Sequence, residues 1–512
     1  HWIAHLSSKR MASATLTLVV GALAILVVHL INKYSFWKRH GVPTAKGLVP
    51  TFGHVWPVVS LKTSISDVIR RIYNEANNSS MVGYYKVTTP VLIVREPQLV
   101  KTMLQTNLPS FHENGLKIDP DLDPLASKNP FFNYGEVWMA ARKRLTYAFS
   151  GMRLKILFGA VAGVCKKLED FLDKHLKSEK TFEVELKSLF SRYTGEVVAN
   201  AGLGIEGHCF EDKPHPGSFD EMGKLMVQPN LATGFVVMIF FFMPVLGKIL
   251  RVPFVPRKLD RFIRHVIAEN MKIRRESQTP RNDFLQTMIE LEKDEGKKMN
   301  QEILTADALS FFVDGYETSS ITLSFVGYQL AVHQDIQEKL RDEVTSTIAK
   351  HGGTLTYDSL KEMTYMDQVM SESQRTYPAV GFLTKLCTQE FEFEGSDGLR
   401  CRVKPGTEVI VPIHALHLDP KYWTDPEVFD PERFDSVRKQ SIEKMTFLPF
   451  GEGPRMCVGM RMAVLQMKAC VATLLRGYKL ELSPKTQLPL RLSSAHFLSS
   501  PVGGLWVKIS KI

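Results

Sequence analysis

Phe450-Gly451-Glu452-Gly453-Pro454-Arg455-Met456-Cys457-Val458-Gly459 decides how the rest of the chain reads. Its fixed positions spell F-x-x-G-x-R-x-C-x-G. At about 5% usage per residue type, five such positions coincide by chance in on the order of one chain in 10,000. Gly451, Gly453 and Gly459 permit a tight turn in which backbone N–H groups point at the Cys457 sulfur. A small buried cysteine in a glycine-rich turn is the plainer alternative.

Four upstream motifs weigh against that alternative. Trp138 and Arg142, as W-x-x-x-R, share one helix face at i and i+4. Ala306 to Leu330 predicts a long buried helix carrying Asp314-Gly315-Tyr316-Glu317-Thr318-Ser319. The Thr318 hydroxyl can take the carbonyl four residues back and open a groove in that helix, or simply be satisfied there. Glu372 and Arg375, as E-x-x-R, lie three apart on one helix face, and Pro431-Glu432-Arg433-Phe434 follows.

In this order the motifs resemble the cytochrome P-450 family of haem-thiolate monooxygenases, over about residues 35 to 512. The pattern is most similar to microsomal xenobiotic- and lipid-metabolising members of the insect branch. The resemblance implies a mainly α fold, a helical prism with a small β-rich lobe, preceded by one N-terminal transmembrane helix. It implies haem b (iron protoporphyrin IX) with Cys457 as axial ligand to iron, since a thiolate supplies the electron density that O–O cleavage needs. Phe450 would cover the ligand. Arg455, Arg142, Trp138 and Lys385 would face the haem propionates; Lys385 stands where Arg is common, keeping the charge and losing the fork. Thr318 would hold the water that protonates the distal oxygen, with Glu317 linking to solvent protons. Glu372, Arg375 and Arg433 would close a structural ion network behind the haem.

Asp314 departs from the pattern, standing where Ala or Gly is usual. Three roles are open to it: a protonated acid bonded within its helix, an ester to a haem methyl group, or a polar anchor for substrate. Pocket walls are expected at Ala379 to Leu383, at Ser494 to Leu498, and under an acidic loop at Asp119 to Lys128. Met81 to Val94 reads as two short strands and a turn. Phe235 to Val245 is too short to span a bilayer; it is either core or a segment that dips into the membrane.

The 512 residues carry a net charge of +10, are 44% hydrophobic and contain six cysteines without zinc-type spacing. No basic-aromatic motif supports a nucleic-acid role. Residues 12–31 form an apolar run long enough to cross a bilayer. Lys33, Lys38, Arg39 and His40 follow it, placing the rest in the cytosol by the positive-inside rule. The expected organisation is a leader at 1–11 preceding a start at Met11, the anchor, a basic and proline hinge at 32–53, and a catalytic domain at 54–512. The implied location is the endoplasmic reticulum membrane. The implied partners are an NADPH-dependent flavoprotein reductase, with cytochrome b5 as a second donor, and a lipophilic small-molecule substrate. Lys143, Arg144 and Lys444 are candidate basic contacts for the reductase. A haem-thiolate isomerase or dehydratase and a non-catalytic haem protein are the competing functions.

Overall fold

The computed structural model describes residues 2–76, 78–213, 215–228, 231–276, 281–294, 296 and 299–512. The first helix runs Trp2–Tyr34. His1 and the side chains through residue 13 lie outside the described residues, and the leader reading of 1–11 lies with them. Ala14–Tyr34 has a mean hydropathy of 2.5 and no buried residue, and it is long and apolar enough to cross a membrane. The basic and proline hinge behind it is seated on the protein. Trp37 is buried, its indole N–H donates to the Tyr84 carbonyl at 3.0 Å, and a Cβ on Gly83 would stand 2.3 Å from its ring.

The organising element is the helix Gln301–Val332. At 1.5 Å per residue its 32 residues span roughly 48 Å. Asn300 caps its start by accepting from the Glu302 N–H, and Gln337 Nε2 donates to the Leu330 carbonyl near its end, at 2.8 Å. Ser319 to Ala331 are buried without a break, so the helix runs through the core. Leu323, Phe325 and Val326 have no exposed surface, and each such side chain contributes about 1.5–3 kcal/mol by leaving water. Leu186–Val197 and Met460–Gly477 pack against this helix in the same core.

The smaller lobe is a five-stranded sheet in the order Met81–Lys86, Thr89–Val94, Glu408–Val411, Leu383–Leu386, Glu113–Asn114. The first two strands are the predicted hairpin, turning at Val87, whose φ of 58° carries the chain around. In Leu383–Leu386, paired with Val411–Glu408, Lys385 is buried. A three-stranded sheet joins Phe182–Glu185, Trp506–Lys511 and Tyr478–Leu482, and Phe391–Glu394 pairs with Arg400–Val403. All six cysteines are free thiols.

Candidate active site

A cavity of about 820 Å³ lies between the long helix, the Cys457 loop and the strand Leu383–Leu386. Cys457, Asp314 and Thr318 all line it. The surface that Cys457 and Asp314 expose belongs to this cavity, whose walls are protein, so both groups are deep inside the molecule. Burial, and then the Asp314 carboxylate, push the Cys457 thiol up, while N–H groups of Gly459 and Met460 and the Arg142 guanidinium pull it down. Those opposing groups are the donors expected around a thiolate ligand. They exist because helix Met460–Gly477 begins three residues after Cys457 and aims its unpaired N–H groups back.

Gly451 and Gly453 have φ of 70° and 77°, and a Cβ at Gly453 would lie 2.0 Å from the Leu104 carbonyl oxygen. Gly459 is different. Its φ is −83°, so its place is to cap the helix beside the sulfur rather than to turn the chain. Phe450 is half-buried on the cavity wall, and its carbonyl accepts from the Cys457 N–H at 2.8 Å.

On the long helix, Thr318 Oγ1 donates to the Asp314 carbonyl at 2.6 Å, the back-bond expected from sequence. The helix nevertheless continues without a break through this turn. Asp314 Oδ2 accepts from Asn129 Nδ2 at 3.1 Å. Its carboxyl is therefore bonded across to another segment and not within its own helix, which corrects the first of its three expected roles. Burial pushes Asp314 up to about 6, against the bond from Asn129. Glu317 is buried and ion-paired with Lys187 at 2.7 Å; burial raises its pKa and Lys187 opposes the shift. Lys187 also donates to Ser191 Oγ at 2.7 Å.

Three cations border the same cavity. Lys385 is buried and donates to Asn114 Oδ1 at 2.9 Å; burial, then Arg455, lowers it to about 7. Arg455 donates to the carbonyls of Pro130 (3.0 Å) and Asn133 (2.8 Å) and stacks 4.1 Å from the Trp138 ring. Its pKa falls to about 10 through burial and the neighbouring Arg142, and its Nε is buried without a partner. Arg142 donates to the Met456 carbonyl. Among the described residues none of the three has a carboxylate at ion-pair distance. Mutually repelling cations, Lys385 buried and Arg142 and Arg455 half-buried, call for an anion. A flat, apolar group with two carboxylates and an iron above Cys457 fits that demand, so the donor set suits haem.

Glu372, Arg375 and Arg433 form one network. Arg375 is bidentate to Glu372 at 2.7 Å for both contacts, and Arg433 Nε reaches Glu372 Oε1 at 3.3 Å. The guanidinium groups also donate to the carbonyls of His417, Pro426 and Asp425, leaving the buried charges fully partnered. None of the three lines the cavity.

Other expectations need correction. Arg144 does not face a partner: it is bidentate to buried Asp307, at 2.7 and 3.0 Å, and ties its helix to the long one. The acidic loop contributes Ala126 to the wall, but Asn129 to Phe132, just beyond it, contribute most. Buried Asp123 instead fastens the Phe254 and Val255 N–H groups, at 2.7 and 2.9 Å. The Phe235 to Val245 run forms most of helix Leu231–Phe242 and the start of Pro244–Leu250. Val237 and Val245 side chains lie outside the described residues; Ile239 is buried, Val236 and Phe241 line the cavity, and Phe235 is exposed. Asn129, Asn114 and Lys187 were not singled out from sequence. Asn129-Pro130 signals a turn there and nothing more.

A helical protein with a cysteine sulfur and a threonine hydroxyl on one cavity, and a cation trio at its edge, belongs to the haem-thiolate class. Comparison with known proteins agrees: residues 43–507 match Cytochrome P450, and the chain belongs to that family. It is 31% identical to Cytochrome P450 9e2 of Blattella germanica, covering 95% of this chain and 96% of that one. It is 33% identical to the Probable cytochrome P450 6a13 of Drosophila melanogaster, covering 96% and 98%. Cytochrome P450 6j1 of Blattella germanica is 32% identical, with 95% of each chain covered. Enzymes of the family are monooxygenases whose cofactor is haem.

Proposed function

We propose that this chain is a membrane-anchored monooxygenase that inserts one oxygen atom of dioxygen into a lipophilic substrate, a xenobiotic, fatty acid, steroid or terpenoid. Its electrons come from NADPH through a flavoprotein reductase, with cytochrome b5 as a second donor. The observation that carries the reading is the shared cavity, with Cys457 and Thr318 on its wall and the unneutralised cations at its edge. Haem b bound there supplies the binding and reductive activation of dioxygen.

The protein's own part is positioning. Cys457 would ligate iron, with the Gly459 and Met460 N–H groups holding negative charge on sulfur. Arg142, Lys385, Arg455 and the Trp138 ring would hold the propionates, fixing the orientation of the cofactor. The Thr318 hydroxyl spends its proton on the Asp314 carbonyl, so its lone pairs are left to accept from a water in the cavity. The Glu317–Lys187 pair lies next along the chain, and the Lys187 side chain is partly exposed. That pair is the route by which protons would reach the water. Apolar walls, including Phe132, Phe254 and Leu498, exclude bulk solvent and favour lipophilic ligands.

The exposed helix Ala14–Tyr34 would anchor the protein in the endoplasmic reticulum membrane with the catalytic domain in the cytosol. Exposed Phe235, Ile249 and Leu250 would dip into the same membrane and lead substrate to the cavity. The test is reconstitution with reductase, NADPH and labelled dioxygen. One labelled oxygen atom per product, with NADPH consumed, is expected. Product formed without NADPH would favour the isomerase reading and overturn this one.

A further inference from the structure

Asp314 is a carboxylate on an apolar cavity wall to which the fold gives no cation. Among the described residues it makes no ion pair, and its carboxylate accepts one hydrogen bond, from Asn129 Nδ2 at 3.1 Å. The neighbouring cations are engaged elsewhere: Lys187 pairs with Glu317, and Arg144 with Asp307. Arg142, Lys385 and Arg455 flank the Cys457 loop, where the cofactor's own carboxylates would take them.

The Asn129 amide is held in one orientation. It is buried, and its Oδ1 accepts the Phe131 N–H at 2.7 Å, so its NH2 must be the end that faces Asp314. The asparagine thus fixes one carboxylate oxygen and leaves the other to the cavity. Aromatic rings follow Asn129 in the chain and share the cavity wall with Asp314. Phe131, Phe132 and Phe254 line the cavity, with Phe131–Phe132 centroids at 5.1 Å and Phe132–Phe254 at 5.3 Å. Asp123 secures Phe254 through its backbone N–H. A fixed carboxylate and several aromatic rings on one cavity wall are the features that recognise a cationic nitrogen.

We propose that Asp314, positioned by Asn129 and flanked by Phe131, Phe132 and Phe254, anchors the protonated nitrogen of a lipophilic amine substrate. A buried carboxylate without a counter-ion is costly, and such a ligand removes the cost while its apolar body fills the rest of the cavity. The proposal rests on the monooxygenase reading of the same cavity and narrows its substrate class.

The test measures binding by equilibrium dialysis on the purified holoenzyme. The probes are 1-methyl-4-phenylpiperidine and its neutral carbon isostere 1-methyl-4-phenylcyclohexane. Asp314→Asn should lower the ratio of amine to isostere affinity by about tenfold or more, the scale of one charge-assisted contact. Asn129→Ala should lower the ratio in the same direction by less. An unchanged ratio in Asp314→Asn overturns the anchor, including the case in which the amine simply ligates iron. A second measurement needs no variant: wild-type protein should bind the amine more tightly than 4-phenylcyclohexanecarboxylate. Equal or tighter binding of the acid overturns the proposal. The carbon monoxide spectrum of the same sample reports separately on the haem-thiolate reading, so failure of one is distinguishable from failure of the other.

Discussion

The role proposed for Thr318 rests on one hydroxyl. Thr318→Ala frees the Asp314 carbonyl and removes the acceptor proposed to hold water in the cavity, while the helix, buried on its other faces, persists. The variant should bind haem and oxidise NADPH through the reductase, but with peroxide per NADPH raised severalfold and product lowered. Peroxide assay beside product analysis checks this, and unchanged yields would remove Thr318 from proton delivery. At this scale the sequence was informative where chemistry fixes the residue type. Cys457 could be picked out because few side chains ligate iron, and Thr318 because it stands in a motif; its back-bond alone does not mark it, since Thr305, Ser310, Thr322 and Ser324 make the same bond in the same helix. Asn129 and Lys187 could not be picked out, because amides and lysines occur everywhere and only the tertiary structure sets one against Asp314 and the other against Glu317. Arg144 was misjudged for the same reason, since its partner Asp307 lies 163 residues away.

Two elements meet at the network behind the cavity: helix Thr364–Thr376, which carries Glu372 and Arg375, and the short turn Pro431–Phe434. Glu372→Ala would leave two buried guanidinium groups without their carboxylate, which costs about 3–5 kcal/mol. Loss of soluble haem protein on expression, or a lower urea midpoint if some folds, is the expected outcome. The adjoining helix Ile413–His417 gives the pH dependence. Burial lowers His414 to about 4 and His417 to about 3, so both are neutral in the folded protein. The unfolded chain gains these protons first as pH falls through about 6.5, and the folded protein follows only near 4 and 3. The contribution of these two histidines should therefore be flat above pH 7 and decline below about 6.5, by roughly 1.4 kcal/mol per pH unit for each. Urea midpoints at pH 7.5 and 5.5 check it; a midpoint that does not fall at the lower pH contradicts the burial argument. The long helix and the hairpin were legible because their patterns are local. The hinge was only partly so: its prolines suggested a stiff linker, whereas the Trp37 socket against Gly83 depends on a contact with a later strand.

For the whole molecule, the net charge of +10 predicts electrostatic steering of an acidic reductase. Lys444 is exposed and remains a candidate contact, while Arg144 is withdrawn from that surface. The association rate with reductase should fall as salt rises, because exposed charges are screened over about 8–10 Å at physiological ionic strength. Stopped-flow reduction across a salt series measures it, and a salt-independent rate would remove steering. The proposed function depends on one bond, which the Cys457 sulfur would make to the iron of haem. The most direct measurement is the absorption spectrum of the reduced protein under carbon monoxide, taken for the wild type and Cys457→Ala. The account predicts the strongly red-shifted Soret band of a thiolate-ligated haem in the wild type and its loss in the variant. The same band persisting in Cys457→Ala, or absent from haem-loaded wild type, would contradict it.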